Sequence, residues 1–392
     1  MKAVRQRATS YVEVNLKLLG ENLAKIKEMA NGAKVLPMVK GNAYGNGILD
    51  VTRYLAFEQG VETFGVASLG EALTIIDGIP EFTSNPARRI IVFSDTELHN
   101  VQLIHHYGKH HGVIPVLSKP KDVAEYLTNP LFAKKEIWLK VNTGMNRMGL
   151  DPDALEEGVI PLLKAKGRNV HHLVTHLACA DSLLQEDDPT SKQLKTFENM
   201  HKSFLDAGIA VLETSVSNSA GACQNLHDGD STRWIRPGLM LYGPNPMQFP
   251  DSPHWRGHQV SRFVTKVLMI RWLKAGQSVG YGVYPVPEDS LIATLPIGYA
   301  DGFLKFYTGT TVTINGIDGR VHGNICMDTC FVRFPASLLE TIPKERWPKE
   351  EQEVEIWNHD TRTIQRMADE VGTDTASLVS CLTTRIPRRY VQ

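Results

Sequence analysis

Short apolar runs of strand type alternate with longer amphipathic stretches of helical period over roughly the first 240 residues. Tyr11–Leu16 alternates like a strand, and Leu18–Met29 follows with helical periodicity. Eight further strands are predicted, at Lys34–Val39, Thr63–Ala67, Arg89–Phe93, Gly112–Leu117, Glu136–Val141, His171–Thr175, Leu212–Ser217 and Trp234–Leu241. Helices are predicted between most of them, for example at Ile48–Phe57, Leu69–Asp77, Lys121–Leu127, Ala154–Lys166 and Ser191–Ala207. This alternation indicates an α/β fold with a (β/α)8 TIM-type barrel, whose functional side chains lie at the strand ends.

The pattern changes after the Pro-rich stretch Tyr242–Pro250, which is the predicted linker. Mostly strands with tight turns follow, at Val260–Trp272, Leu291–Ile297, Thr311–Ile314, Arg320–His322, Cys330–Phe334 and Val354–Trp357, and two short helices end the chain at Thr363–Val371 and Ala376–Cys381. We therefore expect the barrel over residues 11–245 and a β-rich C-terminal domain over residues 251–392. The strand at Tyr11–Leu16 has no place in the barrel, so residues 1–16 are expected to pack with the C-terminal domain.

Composition and charge are those of an ordinary globular enzyme, with 42% hydrophobic residues, 22% charged residues and a net charge of −1. With a net charge this close to zero, no overall electrostatic attraction favours nucleic acid or an anionic membrane as a partner. The five cysteines are few and widely spread, which is typical of free thiols in a reducing compartment. The N-terminus has no unbroken apolar segment, so no signal peptide or membrane anchor is visible, and we expect a cytoplasmic location unless a leader was removed.

No metal site is expected. Cys326 and Cys330 form a Cys-x3-Cys pair without a second pair. The histidines at His105, His106, His110 and His111 have no carboxylate or cysteine nearby that would complete a site, so a solvated loop is the better interpretation.

The stretch Val35–Gly47 carries the strongest chemical signal, because an apolar run ends on a single lysine, Lys40, and breaks into a Gly- and Asn-rich loop. A desolvated lysine loses its proton more easily and can form a Schiff base. On spacing alone, a lysine that snorkels from a strand end is the commoner explanation. Glycines in the loop allow a tight turn, and Tyr44 offers a hydroxyl to an anion.

This stretch resembles the pyridoxal-phosphate lysine motif of alanine racemases, in which Val-Val-Lys-Ala-Asn-Ala-Tyr-Gly-His-Gly is usual. Trp138–Gly149 is similar to the family's Lys-Val-Asp-Thr-Gly-Met-Gly-Arg-x-Gly, with Asn142 and Asn146 in place of Asp and Gly. The resemblance implies that Lys40 binds pyridoxal 5'-phosphate. It implies that Arg147 contacts the substrate carboxylate, and that Lys140 is at the position carbamylated in some members.

Three more motifs of the barrel region follow, in the same order along the chain as in the family. Val174–Asp181 resembles Thr-His-Phe/Leu-Ala-x-Ala-Asp, which implies that His176 packs on the cofactor ring and hydrogen-bonds the catalytic tyrosine. The Asn-Ser-Ala phrase implies that Asn218 and Ser219 bind the cofactor, with the Ser219 hydroxyl at its phosphate. In Arg-Pro-Gly-Leu, the resemblance places Arg236 opposite the pyridine nitrogen, where a permanently charged guanidinium keeps that nitrogen unprotonated. The backbone N–H groups around Gly238 and Leu239 would complete the phosphate cradle.

The C-terminal region resembles the other half of these enzymes. Ser278–Gly282 implies that Tyr281 is the second catalytic base, Pro296–Gly302 places Tyr299 on the substrate side of the pocket, and Ile325–Asp328 brings the backbone of Met327 to the substrate carboxylate. In the family, the tyrosine that matches Tyr281 comes from the partner subunit. The resemblance therefore implies a homodimer with shared active sites. Many members have a tyrosine where this chain has Thr384, which leaves the preference for alanine over serine or larger side chains open.

The function implied is a two-base racemase that interconverts L- and D-alanine, supplying D-alanine for peptidoglycan or serving alanine catabolism. Inversion at Cα needs bases on both sides of a flat imine, with Lys40 on the D face and Tyr281 on the L face. The alternatives are a racemase of broader specificity for serine or basic amino acids, a pyridoxal-phosphate amino-acid decarboxylase of the same architecture, and a cofactor-carrier protein. Arg236 and Tyr299 argue against the decarboxylase, and the long strand-rich region argues against the carrier.

Overall fold

The computed structural model describes residues 9–182, 185–227, 232–248 and 255–392. Residues 1–8 of the predicted N-terminal segment, residues 249 and 250 of the predicted linker, and the predicted domain start at residue 251 lie outside this part of the chain. Within the described ranges, no helix is long and apolar enough to cross a membrane.

The predicted parallel barrel is confirmed. After the strand β1 (Tyr11–Asn15), two parallel sheets follow, one of two strands and one of six in sequential order. Single parallel bridges between Met38 and Gly65 and between Thr214 and Arg233 join these sheets into one closed wall. The eight barrel strands are β2 (Lys34–Val35), β3 (Thr63–Ser68), β4 (Arg89–Asp95), β5 (Val113–Leu117), β6 (Trp138–Lys140), β7 (Val170–Val174), β8 (Val211–Ser215) and β9 (Trp234–Ile235).

Most of the helices cover the outside of this barrel through an apolar stripe, as the periodicity predicts. The helices of the barrel region are α1 (Leu16–Ala30), α2 (Lys40–Tyr44), α3 (Ile48–Phe57), α4 (Leu69–Gly78), α5 (His105–Lys109), α6 (Pro120–Thr128), α7 (Pro152–Ala154), α8 (Ile160–Ala165), α9 (Pro189–Asp206) and α10 (Ser219–Cys223). A π-helical turn at Leu155–Val159 connects α7 to α8. The first half of the chain thus forms strand–helix units around one parallel wall.

In the part that the structure describes, the C-terminal region consists of mainly antiparallel sheets and three short helices. Its strands are β10 (Ser261–Lys266), β11 (Met269–Leu273), β12 (Ser278–Val279), β13 (Tyr284–Pro285), β14 (Ser290–Leu295), β15 (Thr311–Ile314), β16 (Ile317–Val321), β17 (Cys330–Pro335), β18 (Glu353–Trp357) and β19 (Arg388–Val391), with the helices α11 (Ala336–Leu339), α12 (Thr361–Val371) and α13 (Thr375–Ser380). β11, β14, β17, β16 and β15 form one five-stranded sheet. In the four-stranded sheet, β1 lies between β10, antiparallel to it, and β19, parallel to it.

Several predicted strands are wrong in extent. The predicted strand Lys34–Val39 is only Lys34–Val35, and the predicted strand Arg320–His322 is Ile317–Val321. The predicted strand Val260–Trp272 is two strands, β10 and β11, which pair in different sheets because the chain turns between Lys266 and Met269. The predicted strand Trp234–Leu241 ends at Ile235, because Pro237 has no N–H for a ladder and Leu239–Tyr242 forms a 3-10 turn.

The barrel interior contains an aromatic stack around a buried histidine. The ring of His172 lies parallel to that of Trp138, with 3.9 Å between centroids, and Trp234 meets it edge-on at 5.5 Å. His172 Nδ1 is 3.6 Å from a carboxylate oxygen of Glu213, which also pairs with Lys34. Burial lowers the pKa of His172 from 6.5 to about 4, although Glu213 opposes this shift. The imidazole is therefore neutral at physiological pH.

Acid should destabilise the barrel through this histidine. Its folded pKa of about 4 lies below the value of 6.5 for the unfolded chain, so its contribution is complete above pH 6.5 and is lost as the pH falls toward 4. We expect His172→Phe to flatten the loss of unfolding free energy over this window, by up to about 3 kcal/mol. Urea unfolding midpoints of both proteins between pH 4 and pH 7.5 measure this, and parallel curves would contradict it.

Candidate active site

A cavity of about 330 Å³ opens where the barrel strands end, which is within the size range of small-molecule sites. Ten of the residues singled out from the sequence line it: Lys40, Tyr44, Lys140, Arg147, His176, Asn218, Ser219, Arg236, Gly238 and Leu239. They come from strands and loops far apart in the chain, and barrel closure brings them together. Among the described lining residues that were not predicted are Phe93, Met145, Asp181 and Pro246.

Lys40 starts a left-handed helical turn. Five consecutive residues, Gly41 to Gly45, have positive φ between 50° and 77°. The turn is closed by hydrogen bonds from the Ala43 N–H to the Val39 carbonyl, at 2.8 Å, and from the Gly45 N–H to the Gly41 carbonyl, at 2.9 Å. A left-handed conformation costs about 1–2 kcal/mol for each residue with a Cβ, so the surrounding structure must hold this turn in place.

Glu71 is one of the groups that hold the turn. Its carboxylate accepts a hydrogen bond from the Gly41 N–H at 2.7 Å, and its other oxygen accepts one from the Ala67 N–H at 2.7 Å. The same residue completes a capping box with Ser68 at the start of α4. The Ser-x-x-Glu spacing was visible in the sequence as a helix start, but nothing local indicated that the carboxylate would reach the turn after Lys40.

The four cations lining the cavity influence one another. Burial lowers the pKa of Lys40, and Arg147 and Arg236 add to that effect, while Glu71 opposes it. Burial, with Arg147, Arg236 and Lys40, lowers the pKa of Lys140 to about 8. Both amines therefore lose their protons more easily than an exposed lysine does, and an anionic ligand would be attracted to the site.

Arg236 lies buried at the cavity floor and is held by the ends of two barrel strands. One terminal nitrogen donates to the Ser215 carbonyl at 2.8 Å and to the Ser215 hydroxyl, and the other donates to the Thr175 carbonyl at 2.6 Å. The second nitrogen is also 3.5 Å from His176 Nδ1. Burial and this guanidinium hold the pKa of His176 well below its usual value, so the imidazole stays neutral. Burial lowers the pKa of Arg236 to about 9, which leaves it charged at neutral pH.

The opposite wall is shaped to receive a phosphate. The Ser219 hydroxyl accepts a hydrogen bond from the Gly238 N–H at 3.0 Å, which leaves its own proton available to another acceptor. The first N–H groups of α10 and of the turn at Leu239–Tyr242 have no acceptor within their own helices. A Cβ added at Gly238 would lie 2.2 Å from the Tyr44 hydroxyl, so only glycine leaves this space open. These residues therefore fit a phosphorylated cofactor.

Gln193 is a buried residue of the site that the sequence analysis missed. Its side-chain amide donates to the His176 carbonyl at 3.0 Å and to the Thr143 hydroxyl at 3.1 Å, and its oxygen accepts from the Ala178 N–H at 2.9 Å. It thereby connects the loops after β6 and β7, which carry Arg147 and His176. A signal existed, because Gln193 occupies the buried face of α9 among apolar side chains.

The three predicted residues of the C-terminal region do not line the described part of this cavity. Tyr281 is 76% exposed and Met327 is 53% exposed. Their loops are tied to neighbouring backbone, because the Asn324 amide donates to the Tyr281 carbonyl at 3.1 Å and the Tyr299 N–H donates to the Cys326 carbonyl at 3.1 Å. Within one chain, the lysine half and the tyrosine half of the predicted site are thus separate clusters.

Comparison with known proteins gives one consistent result. The family models for the alanine racemase N-terminal domain and the alanine racemase C-terminal domain match residues 14–246 and 260–390. The alanine racemase of Shewanella putrefaciens is 30% identical over 386 residues, covering 95% of this chain and 97% of the relative.

Solved structures agree in fold. The biosynthetic alanine racemase of Pseudomonas aeruginosa superposes with a TM-score of 0.81 at 27% identity, covering 98% of this chain and all of the other. An alanine racemase of Bartonella henselae, solved with covalently bound pyridoxal phosphate, has a TM-score of 0.81 at 24% identity over 98% of this chain and 100% of its own.

The left-handed turn should tolerate no side chain at Gly45. Its φ is +77°, and an added Cβ would lie 1.9 Å from the Val379 carbonyl oxygen. Gly60, with a φ of +65° and open space around it, is a matched control for the backbone strain alone. We expect Gly45→Ala to lower the unfolding free energy by about 3 kcal/mol or more and Gly60→Ala by about 1 kcal/mol. Urea unfolding measures both values, and equal losses would contradict the tight contact.

Proposed function

The chain belongs to the alanine racemase family, and we infer from this that it interconverts L- and D-alanine with pyridoxal 5'-phosphate as its cofactor. The observation that carries this proposal is the cavity in which Lys40, an amine whose pKa is lowered by burial, lies beside a phosphate cradle and three further cationic side chains. When bound, the cofactor withdraws electrons from the amino-acid Cα, so that its proton becomes removable.

The residues of this chain that would hold the cofactor come from four strand ends, those of β2, β7, β8 and β9. Lys40 supplies the amine that attaches it, Ser219 and Asn218 with the N–H groups near Gly238 and Leu239 bind its phosphate, and Tyr44 contributes its hydroxyl. His176 would pack against the cofactor. Arg236 would serve as a cationic partner of its ring, which would keep electron withdrawal moderate and favour simple proton return over transamination.

Racemisation requires proton transfer on both faces of Cα. We propose Lys40 as the base of the D face, because burial lowers the pKa of its amine and so favours loss of the proton. Tyr281 serves the L face, with His176 as the group that assists proton transfer. Arg147, which is exposed at the cavity mouth, and the backbone of Met327 bind the substrate carboxylate, and Tyr299 lies on the substrate side.

This arrangement needs a second copy of the chain. Tyr281 and Val283 are 76% and 75% exposed in one loop, and Met327 is exposed nearby, which is unusual for large apolar side chains. We propose a homodimer in which this loop enters the cavity of the partner, so that each site combines Lys40 of one chain with Tyr281 of the other.

Three further assignments are proposals of the same kind. Lys140 is the candidate for carbamylation, because its pKa of about 8 leaves part of the amine neutral and a carbamate would place a negative charge beside Arg147. The domain bounds 11–245 and 251–392 are supported by the two matched regions, 14–246 and 260–390. A reducing compartment such as the cytoplasm suits the five cysteines, all of which are free.

Loss of the attaching amine should abolish the reaction. Lys40→Ala is expected to retain no cofactor covalently after borohydride reduction and to lose at least about 10³-fold in racemisation, because nucleophile and D-face base disappear together. Lys134→Ala, at an exposed lysine outside the cavity, is the control and should behave like the wild type. Mass spectrometry of the reduced protein measures the adduct, and an adduct persisting in Lys40→Ala would refute the assignment.

Loss of the Tyr281 phenol should slow proton transfer on one face of Cα only. Tyr281→Phe is expected to slow proton removal from L-alanine by about 10²–10⁴-fold while exchange of the D-alanine Cα proton in deuterated water persists. Equal losses would contradict the two-face assignment.

Mixing Lys40→Ala and Tyr281→Phe subunits under exchange should restore about a quarter of wild-type activity if the sites are shared, because half of the dimers are mixed and one of their two sites is intact. No recovery in demonstrably mixed dimers would contradict sharing.

A further inference from the structure

One segment near the C-terminus, Leu382–Tyr390, touches both halves of the proposed catalytic apparatus. Its last residues belong to β19, which pairs with β1. Two of its arginines point to different loops. Arg388 reaches the turn that follows Lys40, and Arg385 reaches the loops that carry Tyr299 and Met327.

Arg388 binds backbone carbonyls across the interface between barrel and C-terminal region. Its Nε donates to the Gly45 carbonyl at 2.9 Å. Its two terminal nitrogens donate within the segment, to the carbonyls of Thr383 at 2.6 Å, Ile386 at 2.7 Å and Leu382 at 2.9 Å. Four carbonyls therefore share one guanidinium, a fork geometry that a lysine ammonium cannot reproduce.

Two further contacts hold the same turn. The Tyr390 hydroxyl donates to the Asn46 carbonyl at 3.1 Å. A Cβ at Gly47 would lie 1.9 Å from this hydroxyl, so the loop and the tyrosine are in close contact. Because the turn is left-handed and costly on its own, these contacts contribute directly to the position from which the Lys40 side chain projects.

Arg385 and Thr383 bind the two loops of the C-terminal region that carry Tyr299 and Met327. Arg385 pairs with Asp328 at 2.7 Å, next to Met327, and with Asp301 at 3.4 Å. The Thr383 hydroxyl donates to the Ala300 carbonyl at 2.9 Å, and its N–H donates to the Asp301 carbonyl at 3.0 Å. The loop after β14, which carries Tyr299, is thus fixed by the same segment that holds the lysine turn.

We propose that Leu382–Tyr390 is a positioning segment for both halves of the site, with Arg388 orienting the turn of Lys40 and Arg385 orienting the loops of Tyr299 and Met327. Neither arginine contacts the substrate in this assignment. The inference rests on the proposed function, since it assigns these loops to one reaction. In a dimer with shared sites, one segment would link the lysine of its own site to the loops that serve the partner's site.

Hydrogen–deuterium exchange of the cofactor-loaded enzyme tests the positioning without measuring activity. Arg388→Lys should accelerate amide exchange in residues 39–48 about tenfold or more and leave residues 323–330 unchanged. Arg385→Lys should give the opposite pattern. Arg389→Lys is the matched control, because Arg389 is exposed and stacks on the Tyr11 ring instead. Equal loosening of both regions in either variant, or no change in either region, would overturn the proposal.

Kinetic measurements provide a second test of the positioning role. Arg388→Lys should slow proton removal from D-alanine about tenfold more than from L-alanine, with kcat reduced and KM changed less than about threefold. Tyr390→Phe, which removes the hydroxyl contacts to Asn46 and Asp50, should give a weaker effect in the same direction and serves if Arg388→Lys does not fold. Equal slowing on both faces would overturn the positioning role. Failure of the wild type to racemise alanine would instead refute the proposed function, and the exchange pattern would still decide whether the segment holds both loops.

Discussion

The structure depends on keeping five consecutive residues left-handed directly after Lys40. Gly41 and Gly45 accept this conformation at little cost, but Asn42, Ala43 and Tyr44 do not. The strain is offset by groups from distant parts of the chain. A carboxylate of α4 holds the Gly41 N–H, and a guanidinium near the C-terminus holds the Gly45 carbonyl. The amine at the head of this turn is consequently placed by tertiary contacts on both sides of the loop.

Electrostatics then decides what the cavity can accept. Lys40, Lys140, Arg147 and Arg236 line it together with Asp181, the single acidic residue among its described lining residues. Burial, and then the repulsion among these cations, lowers the pKa values of the two amines, while the two guanidinium groups remain fixed positive charges. This combination suits a ligand that carries both a phosphate and a carboxylate.

The two proposed bases lie on different architectural units. The lysine belongs to a barrel loop, and Tyr281 extends from an exposed loop of the antiparallel region. A barrel presents its strand ends on one face, so a group approaching the other side of a ligand must come from outside the barrel. The segment Leu382–Tyr390 connects the two units within a chain and gives their relative placement a defined physical basis.

Motifs at strand ends that resemble those of alanine racemases indicated the residues around the cavity. From its strand and helix periods the sequence also predicted the barrel and the β-rich region, because these periods record which face of each element is buried. It did not determine the left-handed path after Lys40, the break between β10 and β11, or the roles of Glu71, Gln193 and Arg388. Arg388 and Gly45 are 343 positions apart, and Glu71 reads locally as a helix cap. Such contacts follow from the packing of all elements at once, which no local pattern encodes.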